Sequence, residues 1–150
     1  DYYNRNFGTN IKILRLSQVI GKEKNGYLIG RYMENAADGK PLSVYGNSVG
    51  RRDYIYVKDA CRAIWLSLQK YAFCGVYNIG SGIGTTNLEL AKAVVDGFHS
   101  ASKMEIQRDK KEDTSVCYLD TTKAKNELGF ACQYSLSEAF EELCHEKRDV

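Results

Sequence analysis

The chain has 150 residues, with 21 Lys and Arg against 19 Asp and Glu, a net charge of +2. That length suits one domain with a real core. The near balance of charge leaves no electrostatic footprint for nucleic acid or for an anionic membrane, and no apolar run approaches a membrane span.

Five cysteines are present: Cys61, Cys74, Cys117, Cys132 and Cys144. Their number is odd and no two have a two-residue spacing, which argues against a zinc ribbon or a redox pair. Three of them sit among apolar helix or strand positions, where free cysteine behaves as a small hydrophobe. A reducing cytoplasm is expected. His99 and His145 lack any ligand spacing, so surface or capping roles are expected and no metal site. The chain opens at Asp1 without methionine, and a fragment of a larger protein is expected.

The elements follow in order. Asp1 to Phe7 reads as the end of a helix closed by Gly8. Ile11 to Leu16 alternates as a strand, and Val19 and Ile20 lead into a loop over Gly21–Gly26. Leu28, Ile29, Tyr32, Met33, Ala36 and Ala37 recur at helical spacing, so Gly26 to Asp38 is an amphipathic helix. Gly39-Lys40-Pro41 stops it, and Leu42 to Tyr45 is a short strand.

The organising stretch is Tyr45 to Asp59. Gly46, Asn47 and Gly50 mark a turn, and Arg51, Arg52 and Asp53 follow at its mouth. Tyr54 to Val57 suits a strand. A planar guanidinium beside a glycine turn suits an anion with paired oxygens. A surface Arg–Asp pair is the plain alternative.

Beyond it, Val57, Ala60, Cys61, Ile64 and Leu68, broadened by Trp65, define one face of a helix running to about Lys70. Gly75 to Ile79 is a strand. The turn Gly80-Ser81-Gly82-Ile83-Gly84 resembles a phosphate cradle, but Thr85 stands where the dinucleotide fingerprint needs glycine and no Walker pair follows. A structural turn is expected. Thr86 and Glu89 have capping-box spacing, as do Ser135 and Glu138. Leu88, Ala91, Val94, Val95 and Phe98 form one buried stripe, and Leu136, Ala139, Phe140, Leu143 and Cys144 another. Lys103–Gln107 and Val116–Leu119 are expected strands, separated by the charged loop Arg108 to Asp113. There Lys110 to Asp113 reads as a solvated charge run. Asp120 caps a short helix ending at Leu128, with Gly129 just past it. Glu141 and Glu142 are expected on an exposed helix face. Strands alternating with helices predict an α/β chain.

The ordered series LRLSQVIG (14–21), GYLIGRYMENAADGKPLSVYG (26–46), RRDYIYVKDACRAI (51–64), GVYNIGSG (75–82), ELAKAV (89–94) and LDTTKAKNELGF (119–130) closely resembles the C-terminal half of the NAD-dependent epimerase/dehydratase family. These are extended short-chain dehydrogenase/reductases acting on nucleotide-diphospho-sugars. The resemblance implies the substrate-binding part of a Rossmann-type parent, with small sheets and surrounding helices. Residues 1–21 would be a remnant of the Rossmann half, and 22–150 the substrate-binding subdomain. The NAD loop and the Tyr-x-x-x-Lys proton-transfer pair would lie in an N-terminal half outside these residues. NAD would be bound mainly there, and no catalytic residue is expected in this chain.

Residue by residue, the resemblance puts Gln18, in place of an asparagine, near the substrate diphosphate. Ser17, Gln18 and Val19 would flank the nicotinamide. Leu28 opens the helix whose N-terminus faces the diphosphate. Val44 would meet the nucleotide base by its backbone and Tyr45 by its ring. Arg52 matches the diphosphate arginine and Asp113 an acidic residue at the ribose. Lys110 stands where arginine is usual, and Ile20-Gly21-Lys22 replaces Tyr-Gly-Pro. The implied chemistry is transient oxidation to a 4-keto sugar, in a homodimeric full-length enzyme. A non-catalytic nucleotide-sugar or dinucleotide sensor of the same fold is the alternative, distinguished by the presence of the glycine loop and the Tyr-x-x-x-Lys pair. The strand at Ile11–Leu16 carries an exposed edge and apolar face, so self-association of an isolated chain is expected.

Overall fold

The computed structural model describes residues 2–22 and 27–148. Helices are interspersed with single strands and runs of two or three strands, an α/β chain: α1 (Tyr2–Phe7), β1 (Lys12–Leu16), β2 (Gln18–Ile20), α2 (Tyr27–Ala37), β3 (Leu42–Tyr45), β4 (Arg51–Arg52), β5 (Tyr54–Tyr56), α3 (Val57–Gln69), β6 (Gly75–Ile79), α4 (Asn87–Gly97), β7 (Met104–Gln107), β8 (Val116–Cys117), a π-helical segment (Ala124–Leu128) and α5 (Leu136–Arg148). Of the expected loop Gly21–Gly26, residues 23–26 lie outside the described residues, as does Gly26 of the expected helix start.

Among the described residues, four two-stranded parallel sheets form: β1 with β6, β2 with β5, β3 with β7, and β4 with β8. Parallel pairing demands long crossovers, so each sheet joins distant parts of the chain. β1 and β2 run on from one another but change partner at Ser17. The Ser17 N–H donates to the Ile79 carbonyl at 2.8 Å, and the next, from Gln18, to that of Asp53 at 3.1 Å. This switch brings the end of β6 beside the start of β5.

The larger core packs α2, α4 and α5 around β3, with Ile29, Leu42, Val44, Leu90, Val94 and Phe140 among its buried members. A smaller one gathers Ile55, Ala60, Ala63, Tyr77, Ile79 and Phe130. Both capping boxes form. Glu89 N–H donates to Thr86 Oγ1 at 3.2 Å while the Thr86 N–H donates to Glu89 Oε2 at 2.7 Å, and Ser135 and Glu138 repeat the exchange.

Three expectations are corrected. The apolar face assigned to α3 is buried only at Ala60 and, in part, at Val57: Asp59, Ala60, Ala63 and Ser67 face inward, while Cys61, Ile64, Trp65 and Leu68 are exposed. Small side chains let the helix approach the strands beneath it. Asp59 is tolerated there because its carboxylate accepts the Gln133 and Tyr134 N–H groups and pairs with Arg62, which satisfies the buried charge. The last strand stops at Cys117 rather than Leu119, because the Leu119 N–H is diverted to the Asp53 carboxylate at 3.1 Å. Glu142 is no free surface carboxylate. It accepts from the Tyr56 hydroxyl at 3.0 Å and pairs with Lys58. At Asp120 the cap forms, with the Thr122 N–H at 2.9 Å from Oδ1, but the following turn winds wider, as a π-helix. Gly129 ends it at φ 71°, a left-handed conformation that suits glycine.

Candidate functional site

The turn between β3 and β4 is wound by left-handed residues, Gly46 at φ 71° and Ser48 at φ 55°. Non-glycine residues hold that conformation only where their surroundings over-determine it. Here the N–H of Ser48 donates to Glu112, and its hydroxyl accepts the Leu88 N–H at 2.7 Å. β4 leaves this turn wedged between two partners. Arg52 exchanges backbone hydrogen bonds with Thr85, each 2.9 Å, and β4 pairs with β8 on its other side.

The two arginines then part, as successive strand positions must. Arg51 Nη1 donates to the Gly84 carbonyl at 2.6 Å and lies 3.5 Å from Glu89. Arg52 turns toward the loop before β8, where it pairs with Asp113 and donates to the Ser115 carbonyl at 2.9 Å and hydroxyl at 2.5 Å. The Ser115 hydroxyl and N–H, with Arg52 behind them, hold the Asp113 carboxyl below the usual carboxylate range.

These groups wall a cleft of about 220 Å³ lined by Gln18, Leu28, Ile29, Gly50, Arg52, Tyr54, Asn87 and Asp113. Leu28 lies in the first turn of α2, where backbone N–H groups have no partner within the helix. A neighbouring pocket of about 120 Å³ shares Leu28 and adds Arg31, Tyr32, Asn35, Ser43 and Tyr45. The cleft therefore assembles Gln18, Leu28, Arg52 and Asp113 from separate parts of the chain, with Tyr45 next door. Val44 is wholly buried in the core, and its strand pairs with β7 at Ile106, so it lines neither space. Lys110 is exposed on the turn after β7 and lines neither space. Val19 faces another pocket, with Lys22, Tyr56 and Lys58.

Sequence reasoning missed several members. Asn87, Tyr54, Ile29 and Gly50 reach the cleft only through the tertiary fold. Burial raises the Tyr54 phenol above its ordinary pKa. Asp53 is also buried. Its carboxylate accepts from Ser81 N–H (2.8 Å), Ser81 Oγ (2.7 Å), Gly82 N–H (3.0 Å) and Leu119 N–H. The glycine turn after β6 therefore spends these donors on an internal carboxylate, as a structural turn should. Glu112, read as part of a charge run, is instead bound by four backbone N–H groups of residues 47–50.

Residues 1–80 match the NAD dependent epimerase/dehydratase family. The chain is 32% identical over 149 residues to a dTDP-glucose 4,6-dehydratase of Streptomyces niveus, covering 98% of this chain and 44% of that protein. The chain belongs to the NAD-dependent epimerase/dehydratase family. Its fold matches the crystal structure of UDP-N-acetylglucosamine 4-epimerase from Bacillus cereus with a TM-score of 0.86, at 33% identity, over 99% of this chain and 49% of that one. A UDP-glucose 4-epimerase from Thermotoga maritima, solved with UDP-glucose, matches at a TM-score of 0.78, with 28% identity and the same shares of each chain. This epimerase/dehydratase chain thus spans about half the length of the curated relatives it matches.

A Tyr-x-x-x-Lys spacing does occur in it, at Tyr54 and Lys58, but not as a helical pair. Tyr54 is buried in β5 and faces the cleft, whereas Lys58 pairs with Glu142 beside the pocket that contains Val19. For the family's cofactor the fit is partial. The Ser17 hydroxyl is enclosed and has no hydrogen-bond partner among the described residues, so a polar group of a ligand suits it, while the glycine turn has given donors to Asp53.

Proposed function

We propose that this chain is the nucleotide-sugar-binding half of an NAD-dependent sugar-nucleotide epimerase or dehydratase. The observation that carries the reading is the convergence of Gln18, the α2 N-terminus at Leu28, Arg52 and Asp113 on one cleft. A diphosphate would take the guanidinium fork and the helix N-terminus, both suited to paired anionic oxygens. Asp113 would accept ribose hydroxyls, and Tyr45 would stack against the base from the adjoining pocket. The sugar is then directed toward β2, past Gln18. Holding it by the remote nucleotide turns binding energy into orientation at the reacting carbon.

NAD, when bound, supplies the hydride acceptor for oxidation at C4 of the sugar. The residues of this chain that would meet it are Ser17, through its unpartnered hydroxyl, and Gln18, whereas Val19 faces the other pocket. The remainder of the cofactor and the proton-transferring pair belong to a dinucleotide-binding half. The exposed apolar side chains of Ile11, Ile13 and Leu16 in the β1 region and of Ile64, Trp65 and Leu68 on α3 support that division, since grouped exposed apolar side chains mark interaction surfaces.

The test is titration calorimetry of UDP, UDP-glucose and dTDP-glucose into the protein and three variants at one salt concentration. Arg52→Ala is expected to weaken binding at least about tenfold, roughly 1.4 kcal/mol. Arg52→Lys restores charge but not the fork and recovers part of the loss. Arg51→Ala leaves affinity unchanged, because its guanidinium turns to Gly84 and Glu89. Equal losses at 51 and 52, or none at 52, would place the diphosphate elsewhere.

A further inference from the structure

Glu112 holds together two loops that are far apart in sequence. Its Oε2 accepts from Asn47 N–H at 2.7 Å and Ser48 N–H at 2.8 Å, and its Oε1 from Val49 N–H at 2.6 Å and Gly50 N–H at 3.0 Å. Successive N–H groups closing on one anion form a nest, a concavity of fixed positive potential. In many proteins a nest binds phosphate. This one is filled from within the chain, and the Gly50 N–H, with its neighbours, holds the Glu112 carboxyl below its ordinary pKa.

The seat is close-fitting. A Cβ at Gly46 would run into the Glu112 side chain, and one at Gly50 into the Asp113 carbonyl. Ser48 is kept left-handed by the same carboxylate and by its own hydroxyl, which accepts from Leu88. Gly50 is the last donor of this seat, Arg52 follows it closely, and Asp113 follows Glu112 on the other loop. Three cleft-lining residues are therefore carried by segments that Glu112 ties together, and Asn87 is joined to them through its neighbour Leu88 and the Ser48 hydroxyl.

We propose that Glu112 is a positioning residue: its carboxylate locks the β3–β4 turn to the loop before β8 and so sets the Arg52–Asp113 pair in the wall of the cleft. This rests on the nucleotide-sugar reading of that cleft. It also assigns the nest an internal role. The substrate diphosphate is left to Arg52 and the α2 N-terminus, and the four N–H groups neutralise a carboxylate that would otherwise repel it.

The experiment compares Glu112→Ala, Glu112→Gln and Glu112→Asp with Lys111→Ala as a neighbouring control. Amide hydrogen exchange on ligand-free protein reads the lock directly. Amides 47–50 are expected to exchange at least about tenfold faster in the Ala and Gln variants, because Gln offers one acceptor oxygen where two are used. Asp restores protection in part, and Lys111→Ala changes nothing. Unchanged exchange in the Ala and Gln variants overturns the lock. Calorimetry with UDP reads the positioning. Glu112→Ala weakens binding at least about tenfold when Arg52 is present and adds a smaller loss to Arg52→Ala, the part that passes through Asp113, since residues acting through one another are not additive. Additive losses overturn the positioning role. If UDP fails to bind the unaltered protein, the binding role falls with the functional reading, and the exchange measurement still judges the lock. Should the alanine variant not fold, the Gln and Asp variants carry the same comparisons.

Discussion

Replacing Asp53 tests how the site is held. Its carboxylate joins three segments: the Arg52–Tyr54 stretch, the glycine turn at Ser81 and Gly82, and Leu119 beyond β8. In Asp53→Ala the Ser81 hydroxyl can turn to another partner, but three N–H groups lose theirs. Each orphaned buried donor costs about 1–3 kcal/mol, which gives about 3–9 kcal/mol. Water entering the vacated space would satisfy some of them, so the expected loss is about 3–5 kcal/mol, at the low end. Asp53→Asn is milder. With the amide nitrogen in the place of Oδ1, Ser81 Oγ can accept from it, and the remaining oxygen keeps Gly82 and Leu119. Only the Ser81 N–H is then stranded, for about 2–3 kcal/mol with the lost charge included. Urea unfolding of the three proteins, analysed by linear extrapolation, measures both. A typical domain has only about 5–15 kcal/mol in hand, so the alanine variant should be visibly less cooperative or partly unfolded at 37 °C. A loss below about 1 kcal/mol in Asp53→Ala, or Asn costing more than Ala, would refute the assignment of these bonds.

Acid should weaken the fold in a defined window. Glu89 and Glu138 at the capping boxes, Glu112 in its nest, Asp113, Asp120 and Glu142 are all held below their ordinary values by hydrogen bonds made in the folded state. Depressed folded values mean that the unfolded chain binds more protons, so stability is complete above the unfolded values near 4.5 and 3.8 and is lost as pH falls through the folded ones. The urea midpoint should hold steady from pH 7 to 6 and drop steadily below about 4.5; a midpoint at pH 3 equal to that at pH 6 would contradict this. Thiol labelling should divide the cysteines: iodoacetamide reacts first with exposed Cys61, Cys74 and Cys117. It reacts slowly with Cys132, whose thiol burial pushes up to about 12, and with buried Cys144. Mass spectrometry of early time points shows the order, and early labelling of Cys132 would count against its packed position.

Local signals were legible in the residues themselves. The capping pairs Thr86–Glu89 and Ser135–Glu138, the stop at Gly39-Lys40-Pro41 and the left-handed Gly129 depend on neighbours a few positions away, so their spacing alone specifies them. The same holds for the opposed directions of Arg51 and Arg52, which follow from strand alternation. The ordered series of motifs identified the family and, through it, singled out Gln18, Leu28, Arg52 and Asp113, which the fold brings to one cleft. Tertiary structure decided the rest. The buried face of α3 could not be read from hydrophobicity, because Ala60 and Ala63 allow close packing where Ile64 and Leu68 would not, and because Asp59 finds its partners at Gln133 and Tyr134. Glu112 looked like one charge in a solvated run, since nothing near it in sequence bonds its carboxylate. Its four donors lie 62–65 positions earlier. Parallel strand pairing brings such segments together only after long crossovers, and a hydrogen bond across that separation leaves no periodicity in the chain to betray it.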